Sequence, residues 1–382
     1  MEKEKKKSSM KIAVVSHDNF WPLKGGGGIR VFWVVKTLLE TGHHVKVFAP
    51  VVSTTNLPRE IENAEIVKIG SLSRFSKKKE FEYFIFMLKV FFNLLKREFD
   101  IIYAHNIIAA FPSYIVSKLR KKPIIFDMDD IITGLSSFGP LKKYGKFIEI
   151  YIARKSDMCI VMSEALKEVL TERGVSHIQV VMHGVDLKKY TPEKNKKIYS
   201  MIYIGGMEYH DGVDIIPEAL INLIKDHPNL KVLMIGDGRY RSKLMQDISR
   251  LKLKNYFTFI NWIDHDEIPK YLSEAKIGIV THRKSLSTDT ALVLKGLEYM
   301  AMELPVVAPD LKGMREEIGN NERGLLFRPE NTSDFAEKIS FLLKNPDIIE
   351  KMGKKGRKFV ERNCDWRKNA RKIVEICEKI KN

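Results

Sequence analysis

THRKSLSTDTALVLKGLEYMAMELPVVAPD, residues 281–310, is the stretch whose reading decides the fold. The apolar strand IGIV at 277–280 runs into it, a polar loop covers 282–289, and a helix is predicted from about residue 290 to 302. Thr288 or Asp289 is the expected N-cap. Leu304-Pro305 ends the helix and opens the strand PVVA, because a residue before proline is pushed out of the helical region. Strand, helix and strand in this order make a unit of a parallel α/β sheet. In such sheets ligands collect where strand ends meet helix N-termini, since free N–H groups and the helix dipole favour anions there. Lys295 and Glu298 lie three residues apart and share a helix face. An ammonium and a carboxylate beside such a helix start suit a ligand with phosphates at one end and sugar hydroxyls at the other. The same spacing suits a surface ion pair on a packing helix, and spacing alone leaves both readings open.

Upstream, KIAVV at 11–15 reads as a short buried strand, followed by a glycine-rich loop, an amphipathic helix and a second strand. This is a right-handed βαβ unit. Gly25, Gly26, Gly27 and Gly28 are expected to form a loop ahead of the helix, bare enough for backbone to approach a ligand. The pattern is neither a dinucleotide fingerprint nor a P-loop, and a plain structural turn reads equally well. DIIYA at 100–104 ends in His105-Asn106, and PIIF at 123–126 ends in Asp127, Asp129 and Asp130. Side chains at these strand ends belong to the sheet's carboxyl edge, where ligands bind. His105 also reads as an ordinary hydrogen-bonded loop histidine. Three aspartates in four residues raise the question of a metal, but no partner acid or histidine stands at ligand spacing, so none is expected.

The α/β pattern runs to HGVD at 183–186, breaks at the polar linker TPEKNKK (191–197), and restarts with YSMIYIGG. The expected organisation is α/β: a disordered leader at 1–9 and two Rossmann-like doubly wound domains at 10–192 and 193–361. A last helix, 362–382, is expected to pack back on the first domain. With 382 residues, 44% of them hydrophobic, the chain can bury two cores. Three cysteines are too few and too scattered for a disulfide framework or a zinc site. The formal net charge of +17 draws the chain toward anionic partners. No zinc finger, helix-turn-helix or aromatic RNA-binding motif accompanies it, so nucleic acid is not an expected partner. No secretory leader and no apolar run of bilayer length is visible, so a cytoplasmic protein is expected. The helix at 81–95 is rich in aromatic and aliphatic residues, and that at 141–155 carries a basic face. Both read either as core packing or as contact with an anionic membrane surface, which would make the protein peripheral on the inner face.

With these residues in place, the chain resembles the large retaining nucleotide-sugar glycosyltransferase family of GT-B fold, family four or group one, from residue 10 onward. The strongest match is KGLEYMAMELPVVA at 295–308, the family's Lys, two residues, Glu-Tyr-Met-Ala, then Pro-Val-Val-Ala. The glycine-rich first loop, His105-Asn106, Ser163, HGVD at 183–186, GGMEYHDGVD at 205–214 and GDG at 236–238 follow in order. The resemblance implies two domains facing across a cleft and a hexose transferred from a UDP- or GDP-linked donor to an acceptor hydroxyl. Anomeric configuration would be retained, without cofactor or metal. The acceptor expected is a glycan, lipid-linked or membrane-adjacent.

By the same resemblance Glu298 grips the donor ribose through both carboxylate oxygens, with Gly205 and Gly206 beside the nucleotide. The Gly25–Gly28 loop, His105 and Asp130 face the diphosphate or acceptor. Closure about 191–197 excludes water. The departures are specific. Thr290 stands where the family has its first glutamate, so Thr290, Asp289 or backbone must contact the transferred sugar. Gly206 and Asp211 stand where two diphosphate-binding cations are usual, which leaves the helix start near 289–291 with Lys295, Arg283 or Lys284. Asp129 replaces a sugar-binding histidine. Glu303 replaces a glycine, at about 1–2 kcal/mol if the left-handed conformation is kept. The alternative reading is a non-catalytic sugar-nucleotide-binding protein that kept the fold.

Overall fold

The computed structural model describes residues 9–23, 25–50, 57–70, 79–131, 142–193 and 195–381. The expected leader lies outside these residues except for Ser9, as do residue 141 of the basic helix and residue 194 of the linker. Contacts divide the chain into two compact units, 1–161 with 167–181 and 370–382, and 162–166 with 182–369.

In the first unit, short apolar runs form parallel strands because helices flank the sheet and leave most strands no solvent side. They are β1 (Lys11–Ser16), β2 (His44–Ala49), β3 (Glu65–Lys68), β4 (Ile101–His105), β5 (Ile124–Met128), β6 (Met158–Val161) and β7 (Ile178–Val180). The order is 3-2-1-4-5-6-7, so the connections reverse between β1 and β4. In sheets of this kind ligands bind at such a reversal, outside the strands' carboxyl ends. Register places Ser16 beside His105 and His105 beside Asp127, which gathers the polar strand ends at this point. The helices are α1 (Gly26–Glu40), α2 (Lys79–Leu95), α3 (Ile107–Arg120), α4 (Lys142–Lys155) and α5 (Glu164–Glu172), the last belonging to the second unit up to residue 166. Three of the four glycines expected in a loop are therefore the first turn of α1, and only Gly25 precedes it, with φ +84°.

The second unit repeats the scheme with β8 (Tyr199–Ile204), β9 (Val232–Ile235), β10 (Phe257–Ile260), β11 (Ala275–Ile279), β12 (Val306–Pro309) and β13 (Gly324–Phe327). Their order, 10-9-8-11-12-13, reverses between β8 and β11. Its helices are α6 (Ile215–Asp226), α7 (Arg241–Arg250), α8 (Ile268–Ser273), α9 (Leu286–Thr290), α10 (Leu294–Ala301), α11 (Lys312–Ile318), α12 (Thr332–Lys344) and α13 (Pro346–Asn363). The last helix, α14 (Trp366–Lys381), belongs to this unit up to residue 369 and to the first unit beyond it.

The helix expected at 290–302 is two helices. Ser285, not Thr288 or Asp289, caps the earlier one: its hydroxyl accepts from the Thr288 N–H at 3.2 Å, and Thr288 Oγ1 accepts from the Ser285 N–H at 2.9 Å. That reciprocal box starts α9 at Leu286, ahead of the expected residue 290. Extended backbone at Ala291 and Val293 then breaks the helix and carries Leu292 and Val293 into the core. The Val293 N–H is taken by Glu317 Oε2 at 3.0 Å, which lets α10 begin at Leu294. The expected anion site at 289–291 is therefore the end of a five-residue helix.

α10 ends in a Schellman turn, with Glu303 N–H on Met300 O and Leu304 N–H on Tyr299 O. Its left-handed residue is Glu303, at φ +59°, so the strain expected for a side chain there is present. Glu303→Gly should raise stability by about 1 kcal/mol, less than the full relief because glycine also loosens the unfolded chain. Urea unfolding would show a higher midpoint at unchanged slope; a lower midpoint would mean that the Glu303 side chain stabilises the turn.

Candidate functional site

Each unit gathers charge at its own switch point. In the second, α10 rises from the core with Leu297, Tyr299 and Met300 fully buried and Glu298 only 4% exposed. A carboxylate this deep needs partners. Glu298 Oε1 accepts from the Tyr190 hydroxyl at 2.9 Å and lies 2.6 Å from His265 Nε2. Burial opposes a charge on His265, but Glu298 outweighs it and raises the imidazole above its ordinary pKa. Burial, then the same carboxylate, push the Tyr190 phenol well up, so it remains a donor. Both acceptor directions of Oε1 are thus used within the protein. Among the described residues Oε2 has no such contact, so a grip through both oxygens requires Tyr190 or His265 to yield.

One turn earlier on α10, Lys295 points toward the end of β8. Its ammonium is 3.2 Å from the Tyr203 hydroxyl and 3.8 Å from Asp211 Oδ1. A methyl group added at Gly205 would come within 2.9 Å of that ammonium, and Gly205 has φ +141°, so glycine is required twice over. Gly206 follows, its carbonyl accepting from Tyr203. His282 lies 3.4 Å from Asp211 and is held below its usual pKa by burial. Burial would raise Asp211, but His282 and Lys295 hold it well below the carboxylate range. The sequence placed Lys295 and Glu298 correctly on one helix; Tyr190, His265, His282 and Tyr203 were not singled out.

Other expected residues are placed elsewhere. Thr290 is 1% exposed, its hydroxyl donates to Leu286 O at 3.1 Å, and its carbonyl accepts from Ser163 at 2.6 Å. Asp289 accepts from the Lys312 N–H at 3.2 Å, at the start of α11. Both side chains thus serve helix ends. Arg283 stacks on Tyr209 at 4.5 Å, bonds Glu330 at 2.8 Å and pairs with Asp214, so two carboxylates neutralise it. Lys284 is exposed.

In the first unit the strand ends build a buried charge cluster. Arg30, fully buried on α1, donates to Asp127 from Nε at 2.6 Å and Nη2 at 2.8 Å, and to the Val181 carbonyl at 3.0 Å. Asp129 Oδ1 is 3.4 Å from Arg30 Nε, and Oδ2 is 2.9 Å from His105 Nε2. His105 Nδ1 lies 3.2 Å from Asp18. Burial works against a charge on His105, yet Asp129 and Asp18 raise its pKa to about 10. Gly27 is where this cluster needs glycine: an added methyl would collide with Asp18 and come within 2.9 Å of the His105 ring. Asp130 follows, half-buried.

The fold supplies the histidine that sequence spacing lacked, for His105, Asp127 and Asp129 offer ligand atoms within 4.8 Å of one another. Arg30 already occupies both oxygens of Asp127, and His105 carries its own proton between two carboxylates. This donor set is neutralised by resident cations and does not fit a divalent ion. Between pH 6.5 and about 10 only the folded state keeps the His105 proton, so its contribution to stability is complete below that window and lost as pH rises through it. The urea midpoint should fall across this range, and less steeply in His105→Asn; parallel slopes would show that His105 is neutral in the folded state.

Comparison with known proteins agrees with this architecture. Residues 186–359 match the model of glycosyl transferases group 1, and residues 24–189 match that of glycosyltransferase family 4. A glycogen synthase of Mycobacterium tuberculosis is 22% identical over 287 residues, covering 72% of this chain and 68% of its own. Sucrose-phosphate synthase from Thermosynechococcus elongatus superposes with a TM-score of 0.83 at 19% identity, covering 97% of this chain and 98% of the other. HepE from Anabaena, solved with UDP-glucose, gives a TM-score of 0.79 at 19% identity over 97% and 100% of the two chains. Two adjoining family models from residue 24 to 359 and a shared two-sheet architecture lead to one assignment: the chain belongs to the group 1 glycosyltransferases of GT-B fold.

Proposed function

We propose that this glycosyltransferase moves a hexose from a UDP- or GDP-linked donor to an acceptor hydroxyl with retention of anomeric configuration. The observation that carries the reading is Glu298, a buried carboxylate oriented by Tyr190 and His265. It stands one turn beyond a lysine whose ammonium reaches Gly205. The ribose hydroxyls donate to Glu298, and the diphosphate oxygens take up Lys295 beside Gly205 and Gly206. As the bond to the hexose breaks, negative charge grows on the departing diphosphate. A cation held in place there lowers the barrier without reorganisation. Lys295 serves in place of the cations missing at Gly206 and Asp211, and the reaction needs no metal. The UDP-glucose complex of HepE supports a UDP-linked donor.

The first unit handles the acceptor, a glycan, lipid-linked or membrane-adjacent. The protein works in the cytoplasm at the inner face of a membrane. A second reading, sugar-nucleotide binding without transfer, is favoured by one observation: the side chains of Thr290 and Asp289 serve helix ends. Slow release of free hexose from a donor lacking any acceptor would exclude it.

Calorimetry with UDP, GDP and their hexose conjugates tests the donor site. Glu298→Ala should weaken nucleotide binding at least about 100-fold with the circular dichroism unchanged. Tyr190→Phe, which loses one hydrogen bond, should cost about 3–10-fold. Lys295→Ala should weaken a nucleoside diphosphate far more than the nucleoside. Full donor affinity in Glu298→Ala would overturn the proposed site. Proton NMR of the first-formed product reads the anomeric outcome.

A further inference from the structure

The outer surface of the first unit exposes apolar side chains that its core does not use. On α2, Phe81, Phe84, Leu88 and Phe92 recur at helical spacing and are 63%, 52%, 39% and 54% exposed, while Phe86, Val90 and Leu94 are buried. α3 packs beside α2 and α4 beside α3, the latter through a Tyr114–Tyr151 ring contact. Their outward faces add Ile115 and Leu119, then Phe147 and Tyr151. Eight of the fourteen most exposed large apolar side chains among the described residues thus sit on three adjacent helices, so the exposure is concentrated. A patch of this kind marks an interaction surface.

Charge says what covers it. α3 contains no acidic residue, and the one acid of α4, Glu149, is wholly buried. Lys89, Lys118, Lys121, Arg154 and Lys155 are exposed around the patch. Beside Phe147 lies a groove of about 290 Å³ lined by Lys146, Phe147, Ile150, Tyr151, Arg154 and Arg173. Arg154 donates to the Arg173 carbonyl, and Arg173 Nη1 is buried without a hydrogen-bond partner among the described residues. An apolar floor with three cations at its rim, one holding an unused donor, fits a phosphate ester joined to an apolar body. A second copy of this chain would bring like charges together across a two-fold interface and is disfavoured.

We propose that α2, α3 and α4 dock the protein on an anionic phospholipid bilayer. The aromatic stripe enters the interface, and the Lys146–Arg154–Arg173 groove receives one lipid phosphate. Among the described residues no helix is long and apolar enough to cross a membrane; the proposed attachment is lateral and reversible. The inference rests on the proposed work at a membrane's inner face, to which it gives a docking surface and a lipid chemistry; it is independent of the donor site, and its test needs no sugar nucleotide.

Sedimentation of the full chain with vesicles of phosphatidylcholine, with and without phosphatidylglycerol, reads it directly. Partitioning should be at least about tenfold stronger on the anionic vesicles and should weaken with salt. The combined Phe84→Ser, Phe92→Ser and Phe147→Ser variant should lose about tenfold while keeping nucleotide affinity. Arg173→Gln should reduce the phosphatidylglycerol preference but not the residual binding to phosphatidylcholine. Equal partitioning on both vesicles, or an unaffected triple variant, overturns the proposal. So does a wild-type dimer that the triple variant turns into monomer, because a second copy is then the occupant.

Discussion

A guanidinium with no exposure to water, Arg30, ties the first unit's strand ends together. Burying such a charge costs several kcal/mol unless excellent geometry offsets it. Here the offset is a two-pronged bond to Asp127, a third bond to the Val181 carbonyl, and Asp129 close by. Tyr103 donates to the same Asp127 carboxylate. One side chain of α1 thereby fixes groups from β4, β5 and the residue just beyond β7. Asp129 and His105 follow, because each is positioned by a partner that Arg30 has already placed. The glycine turn of α1 belongs to the same arrangement: Gly27 lets the helix start close to Asp18 and His105, and Arg30 reaches Asp127 from there.

The second unit solves a similar problem with the sign reversed. Its buried charge is a carboxylate, Glu298, and its partners are a phenol and an imidazole, which are adjustable donors. Burial and the carboxylate keep the Tyr190 proton on, whereas His265 is raised only by the balance of burial against Glu298. A hydroxyl-bearing ligand can displace a titratable donor such as His265 at a modest cost and leave Tyr190 orienting the carboxylate. Displacing a fork of two charged hydrogen bonds is far harder.

Much of the fold was legible because buried parallel strands are short apolar runs, and glycines mark where backbone comes close. The segment 295–308 was legible for a stronger reason: the spacing of Lys295, Glu298 and Pro305 ties chemistry to a helix and its stop. The break in the helix was not, since Ser285 and Thr288 look like loop residues until their reciprocal bonds are seen. A Ser-x-x-Thr box at the loop start was the available signal. Arg30 was illegible for another reason. A single arginine after a glycine run reads as a solvated helix face, and its partner Asp127 is 97 residues away. Tyr190 and His265 stand 108 and 33 residues from Glu298, with no local pattern linking them.

The two clusters also differ in what a ligand can take from them. Arg30 already holds a carboxylate in ideal geometry, so a phosphate competing for it would strand Asp127 as an unpaired buried charge. Breaking a pair of that kind costs about 3–5 kcal/mol. Lys295 stands differently. Its ammonium lies 3.8 Å from Asp211, which His282 also approaches at 3.4 Å, so an incoming anion need not strand that carboxylate. A compact ammonium on a flexible stem can shift toward a diphosphate more readily than a forked guanidinium can leave its carboxylate. Glycine at 206 and aspartate at 211 therefore do not leave the strand ends of the second unit without positive charge. That charge rests on Lys295, whose helix also presents Glu298, so in the proposed reaction recognition of the nucleotide is coupled to stabilisation of the group that departs.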